Sequence, residues 1–357
     1  MTEQQRIAAA LDAAEAGGAS ALLLTRLVDV RYLTGFTGSN AAALISADGR
    51  WLATDGRYAA QAALDCPEFE TVESRQLVDA LLAAAPLAKG AALGFDPAGL
   101  SMAAGSSLEA RLRELGLVGV QLPGLCEELR MVKDGAEVAA LQEACDITVS
   151  SWQSLLAEGV LGRTEAELAG RLEHLFRLNG ADDRAFPSIV AAGSNSATPH
   201  HQPTSRAVAQ GDLLKIDCGA RVRGYHADFT RTVVVGTPAD WQVELHEVVR
   251  SAQALGRAHA VEGTEAMALD HLVRSEVEGA GYGAEFVHPL GHGVGLEIHE
   301  RPFLGREGTI LRPHMALTVE PGVYLAGRGG VRIEDTLLLS DGGPINMTDA
   351  EHGLISL

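Results

Sequence analysis

The sequence predicts an α+β chain of two domains, a small α/β domain followed by a larger α+β domain. Three observations carry this prediction. The 357 residues exceed what one ordinary core takes and suit two. Over the first ~125 residues short apolar runs alternate with helical patterns, as in α/β domains. Beyond Gly180 the strand-like runs and the helical patterns segregate, as in α+β domains.

Element by element, Arg6–Ala16 reads as an Ala-rich amphipathic helix and Ala21–Thr25 as a short apolar strand. The stretch Arg31–Asn40, broken by Gly35 and Gly38, reads as a turn-rich loop. Ala41–Ile45 and Trp51–Thr54 are strands joined by a hairpin at Asp48-Gly49, a dipeptide that favours tight turns. Arg57–Leu64 and Leu77–Ala85 follow as helices, Gly94–Asp96 closes a strand, and Ser101–Leu115 is a helix. Pro123-Gly124 then interrupts the chain, which places the domain boundary near residues 126–133 and divides the protein into 1–128 and 129–357.

In the second domain Gly135–Leu156 carries Ala, Leu and Val at helical spacing. Thr164 is a good N-cap with Glu167 at the capping-box position. Strands are expected at Ser188–Ala191, Leu213–Cys218, Ala227–Val235, Met315–Glu320, Val331–Leu339 and near Ile345, with helices at Trp241–Val261 and Glu265–Ala280.

Composition narrows the function. A net charge of −19 repels nucleic-acid phosphates. Cys66, Cys126, Cys145 and Cys218 form no CxxC pair and no disulfide framework, so they read as reduced thiols of a reducing compartment. The acidic start Met1-Thr-Glu3 and the short apolar run Ala19–Leu24 do not make a signal peptide, and no run approaches the ~20 apolar residues of a membrane span. The expectation is a cytoplasmic protein that binds neither nucleic acid nor membrane.

The chemistry lies in five side chains of the second domain: Asp217, Asp228, His292, Glu320 and Glu334. Asp217 and Asp228 sit in apolar strands, and a tight connection centred on Val222 and Arg223 would set them directly opposite each other on one face. Buried carboxylates need compensation, which a cation, Arg231 or Arg332 would provide. Gly291, Gly293 and Gly295 around His292 let backbone approach closely on both sides. Glu320 ends a strand at the turn Pro321-Gly322. Alternation directs Arg332, Glu334 and Thr336 to one face, where Glu334 meets a site or pairs with Arg332. Four carboxylates and one imidazole carry close to the charge that two divalent cations require. His246-Glu247 begins an HExxH zinc motif, but Arg250 stands where the second histidine belongs, and no phosphate-binding GxxxxGK[ST] loop exists.

The order Asp-x10-Asp, His, Glu, Glu in these contexts resembles the pita-bread metallopeptidases. The run from His288 to Glu300 resembles their proline-peptidase branch, the Xaa-Pro dipeptidases (prolidases) and Xaa-Pro aminopeptidases; Pro289 departs from that pattern. The first ~125 residues resemble the creatinase-type domain that precedes the catalytic domain in that branch. The resemblance implies a two-metal exopeptidase that cleaves the Xaa-Pro bond of dipeptides or short peptides by attack of a metal-bridged hydroxide. It also implies a homodimer.

The implied metal ligands are Asp217, Asp228, His292, Glu320 and Glu334, with Asp228 and Glu334 bridging. Manganese is the expected ion for so oxygen-rich a set, ahead of cobalt, zinc or iron. His200, chosen over His201, and His299 match the two substrate-side histidines, and His288 lines the same pocket. Glu320 is the implied proton shuttle. Phe303 stands where many prolidases carry an arginine, so Arg332 or Arg57 is left to bind the carboxylate of a dipeptide. A non-catalytic peptide-binding homologue and an aminopeptidase of broader specificity are the alternatives.

Overall fold

The computed structural model describes all residues, Met1–Leu357. Its contacts divide into two compact units, Met1–Arg130 and Met131–Leu357.

The first unit is a six-stranded mixed sheet in the spatial order 70–73, 49–54, 41–46, 21–24, 92–95, 118–121. Its central hairpin pairs Ser46 with Gly49 across the two-residue connection Ala47-Asp48. Helices cover the sheet; Leu81, Leu82, Leu108 and Leu112 pack on Leu23, Leu44 and Phe95. The opening helix is Glu3–Ala16, started by a capping box between Thr2 and Gln5. One expectation fails here. Residues 31–34, expected to begin a loop, are the end of a helix, Leu27–Thr34. Gly35, read as a loop glycine, is its C-cap at φ 75°, the left-handed conformation that glycine adopts without strain.

The second unit is built from two half-sheets, each backed by a pair of helices. In the first half, strand Leu213–Cys218 lies between Ile189–Ala192 and Phe229–Val234, antiparallel to both. Its alternate residues Leu214, Ile216 and Cys218 join a core with helices Gly135–Ala157 and Glu165–Leu178. Period-two alternation therefore turns Lys215 and Asp217 to the opposite face. Both helices start as the sequence predicts: Asp134 with Glu137, and Thr164 with Glu167, form capping boxes. In the second half, strands Gly291–Gly293, Ala316–Val319 and Asp335–Leu338 run side by side. Leu317, Val319 and Leu337 pack on helices Asp240–His259 and Ala266–Gly279.

Two strand expectations shift, and both bear on the site. The hairpin after Asp217 turns one residue later than expected. Val222 pairs with Tyr225 across Arg223-Gly224, and both turn residues have positive φ (48° and 79°), as in a type I′ turn. Asp217 consequently opposes Thr230, and Asp228 lies one pleat further along the same face. The run Val331–Leu339 divides in two because it changes partners: Gly329–Arg332 pairs with Gly322–Leu325, and Asp335–Leu338 with Ala316–Val319. Ile333 and Glu334 cross from one to the other. There the Glu334 N–H donates to the Thr230 carbonyl at 3.0 Å, and Arg231 donates to the Glu334 carbonyl at 2.7 Å, stitching the half-sheets together.

Gly219 faces the Asp228 segment so closely that a Cβ there would stand 1.8 Å from the Ala227 carbonyl oxygen. Gly219→Ala should destabilise the protein by about 1–3 kcal/mol, the ordinary cost of overpacking, and urea unfolding followed by circular dichroism would measure the loss.

Candidate functional site

The five acidic and imidazole side chains expected to act together do meet, on the faces of the two half-sheets opposite their helices. Asp228, His292 and Glu334 present ligand-type atoms all within 4.8 Å of one another. His292 Nε2 lies 3.6 Å from Asp228 Oδ2 and 3.4 Å from Glu320 Oε1. Asp217 pairs with the Arg332 guanidinium, whose Nε also stands 3.9 Å from both Glu320 and Glu334. Asp217, Asp228 and Glu334 are 6%, 5% and 1% exposed.

Local sequence explains the placement. Asp217 and Asp228 arrive through the hairpin just described. His292 sits at a β-bulge, opposite Phe303 while Gly293 opposes Glu300; such a bulge re-aims side chains. A Cβ on Gly291 would lie 2.2 Å from the Thr318 carbonyl oxygen, and one on Gly293 2.3 Å from that of Arg301. Only glycine permits those approaches. The bulge also brings the His292 and His299 rings edge to face, their centroids 4.3 Å apart.

Hydrogen bonds fix the imidazole tautomers. His292 Nδ1 stands 3.1 Å from the Gly293 carbonyl, which can only accept, so Nδ1 carries the proton and the Nε2 lone pair faces the carboxylates. A metal-ligating histidine is commonly oriented this way. His288 Nδ1 likewise donates to the Pro289 carbonyl at 2.8 Å. Its Nε2 then accepts from the Tyr324 hydroxyl at 2.9 Å, and the Tyr324 oxygen accepts from Arg332 Nη1 at 3.0 Å. One chain of polar contacts thus runs from Asp217 through Arg332 and Tyr324 to His288. Burial, then the charge of Arg332, pushes His288 down to about 3. Burial, then His299, does the same to His292. His299 is lowered as well, by burial and then His200. The neutral forms dominate at neutral pH.

The carboxylates are under the opposite pressure. Burial pushes Asp228 well above the usual range, and Glu334 and Asp217 add to it. Burial likewise raises Glu334, with Glu320 and Asp217 adding. Burial raises Glu320 to about 8 against the opposing charge of Arg332. Asp217 Oδ1 and Glu334 Oε1 are buried and accept no hydrogen bond. A single guanidinium cannot compensate four clustered carboxylates, and such groups are costly unless paired or coordinated. Orphaned carboxylate oxygens beside an outward-facing imidazole lone pair fit divalent cations.

The cluster floors an open cavity of about 420 Å³ walled by His200, His288, His299, Phe303 and Arg306. A second hollow of about 270 Å³ reaches Asp217, Asp228 and Glu334 past Ile298 and Pro187. His200 and His299 line both. His201 turns away, its Nε2 2.8 Å from the buried Glu165. The Thr204 hydroxyl and the Ala192 amide hold the Glu165 carboxyl down at about 2, although burial opposes them. Arg332, considered for a substrate carboxylate, is engaged by Asp217, Thr230 and Tyr324. Arg57 is paired with Asp55 at 2.8 Å in the first unit.

Three participants escaped the sequence reading. Tyr324 joins His288 to Arg332, and Arg306 lines the cavity. Lys215 is fully buried, its Nζ donating to the carbonyls of Ser196, Thr198 and Pro199 at 3.2, 2.7 and 3.1 Å. Alternation along Leu-Leu-Lys-Ile-Asp places Lys215 on the face of Asp217, a signal available in the sequence.

Three buried carboxylates, the half-buried Glu320 and a neutral imidazole beneath an open cavity form the donor set of a metal-dependent enzyme. The chain belongs to metallopeptidase family M24, whose profile matches residues 139–341. The creatinase/prolidase N-terminal domain matches residues 6–132, so a creatinase-type domain precedes a pita-bread catalytic domain. An uncharacterized peptidase of Bacillus subtilis (strain 168) is 38% identical over 342 residues, 95% of this chain and 96% of that protein. Among solved structures, an Xaa-Pro dipeptidase from Bacillus anthracis superposes with a TM-score of 0.92 at 35% identity over 100% of both chains. An X-Pro aminopeptidase from Thermotoga maritima MSB8 gives a TM-score of 0.90 at 32% identity, covering 97% of this chain and 98% of that one.

The raised carboxyls make the metal-free protein pH-sensitive. A carboxyl whose folded pKa lies above its unfolded value contributes stability at low pH and loses it as pH rises through the folded value. In chelator, the thermal midpoint should fall as pH rises from about 6.5 through about 8, the value to which Glu320 is pushed, because below the ordinary histidine value of about 6.5 the lowered His288, His292 and His299 contribute the opposite slope. Asp228→Asn should flatten that fall, and an unchanged slope in differential scanning calorimetry would contradict the assignment.

Proposed function

We propose that this chain is a two-metal exopeptidase that hydrolyses the Xaa-Pro bond of dipeptides. The observation that carries the reading is the convergence of Asp217, Asp228, His292, Glu320 and Glu334 beneath a cavity walled by histidines. The dipeptidase and aminopeptidase among its structural relatives support the choice of bond.

The five side chains would hold two divalent cations, manganese first given the oxygen-rich donors. Bound there, the cations supply Lewis acidity, polarising the scissile carbonyl and acidifying a water. Glu320, at the edge of the cluster and lining the cavity, takes the proton of the attacking water and passes it to the proline nitrogen as the amine departs. His299 and His200 stand on the cavity wall, where an imidazole N–H can donate to the oxyanion that develops on the carbonyl. An Xaa-Pro amide has no N–H, so the proline must be recognised by shape, and Phe303 and Pro289 offer apolar wall for its ring.

The carboxylate of a dipeptide requires a cation. Arg306 lines the same cavity. Its neighbouring acid, Glu307, is taken by Arg301 at 2.8 Å, which leaves the exposed Arg306 guanidinium facing incoming ligand. A guanidinium pairs a carboxylate through two parallel hydrogen bonds. The amide that replaces this carboxylate in a longer peptide lacks the charge.

Hydrolysis of Ala-Pro by the manganese-loaded protein tests the reading; no cleavage with manganese, cobalt, zinc or iron would sink it. His299→Ala should lower kcat by ~10²–10³ through lost oxyanion stabilisation while elemental analysis finds its metal content unchanged. Arg306→Ala should reduce the preference for Ala-Pro over Ala-Pro amide at least ~10-fold in kcat/KM, since a charge-assisted hydrogen bond contributes about 1.5–3 kcal/mol. A preserved ratio would place the carboxylate elsewhere.

A further inference from the structure

We propose that Lys215 is a positioning residue for His200, its buried amino group fixing the backbone that aims this imidazole into the cavity. The inference rests on the role given above to His200.

The His200 imidazole is exposed at the cavity wall, so its direction depends on the backbone that carries it. That backbone is unusually constrained from below. The carbonyls of Ser196, Thr198 and Pro199 all turn to one point, the Nζ of Lys215. Burial, then the charge of Arg332, lowers this amine to about 6 while Asp217 opposes them; the restraint lies in the convergence of three carbonyls on one buried donor. The Pro199 carbonyl also accepts from Arg332 Nη1 at 3.4 Å. It belongs to the planar peptide unit that includes the His200 nitrogen. Fixing this carbonyl orients that plane and, with it, the direction in which the His200 side chain leaves the chain.

The local sequence reinforces the restraint. Proline fixes its own φ and disfavours the helical conformation in the residue before it; Thr198 is extended, at φ −101° and ψ 117°. Ser196 is anchored separately, its hydroxyl donating to the Gly193 carbonyl at 2.6 Å and accepting from the Gly330 N–H at 2.9 Å. Lys215 is itself held, its Nζ 4.9 Å above the centroid of the Tyr324 ring. Its strand carries Asp217 two residues on. One rigid strand therefore sets both a carboxylate of the cluster and the histidine of the cavity wall, which fixes their separation.

A double-mutant cycle tests the coupling. Lys215→Gln and His200→Ala should each lower kcat on Ala-Pro at least ~10-fold, and the double variant should lie within about twofold of the slower single variant, as for residues acting through one another. In Lys215→Gln, hydrogen–deuterium exchange should rise over residues 196–201 while strands 213–218 and 229–234 keep their protection. Losses that multiply, or unchanged exchange over 196–201, would overturn the inference. So would a wild-type kcat in Lys215→Gln when His200→Ala is impaired, leaving the role of His200 intact. A wild-type rate in His200→Ala would remove that role and this inference together. Lys215→Arg provides a second variant that keeps several N–H donors on a long side chain, and it should recover more kcat than Lys215→Gln; equal rates in the two would also count against the proposal.

Discussion

Four carboxylates crowded at the floor of an open cavity, three of them buried, are the constraint around which the second unit is arranged. Like charges at this separation repel, and burial raises the cost of each. The protein does not relieve that cost internally: one guanidinium serves four acids, and two carboxylate oxygens accept nothing. The surrounding architecture keeps the strain in place. Two half-sheets, each with an apolar back packed on helices, present their polar faces to the same cluster, and the contact between Thr230 and Glu334 joins them beside the acids.

The imidazoles belong to the same electrostatic arrangement. Carbonyls of Gly293 and Pro289 fix which nitrogen of His292 and His288 bears the proton, and burial keeps both rings neutral. His292 therefore offers a lone pair to the cluster, while His288 accepts from Tyr324 and leaves the Tyr324 oxygen free to accept from Arg332. Arg332 is thereby held against Asp217. The floor is tied together by these hydrogen bonds, whereas His200, His299 and Arg306 stand exposed on the cavity wall.

Much of this was legible in the sequence because it is local. Alternation in Leu-Leu-Lys-Ile-Asp gave the strand, capping boxes at Asp134 and Thr164 gave helix starts, and glycines around His292 marked a close backbone approach. What escaped depends on partners distant in sequence. Arg332 had several plausible partners, and nothing nearby singled out Asp217, 115 residues away. The segment 331–339 has uniform strand character, yet it changes partners in the middle. The turn falls at Arg223-Gly224 and not at Val222-Arg223 because Gly224 takes positive φ without strain, and Arg223 adopts φ 48° beside it although non-glycine residues rarely do. Gly35 misled in the other direction, since a helix-ending glycine and a loop glycine look alike when the preceding helix is only eight residues long.

The order in which the acids appear has a consequence for synthesis. Asp217 and Asp228 leave the ribosome together on one hairpin, but the carbonyl of Thr230 receives its partner N–H only when Glu334 emerges about a hundred residues later. Until then the early aspartates have no second half-sheet to close over them and remain hydrated. The cluster is thus completed only when the last of its acids is in place.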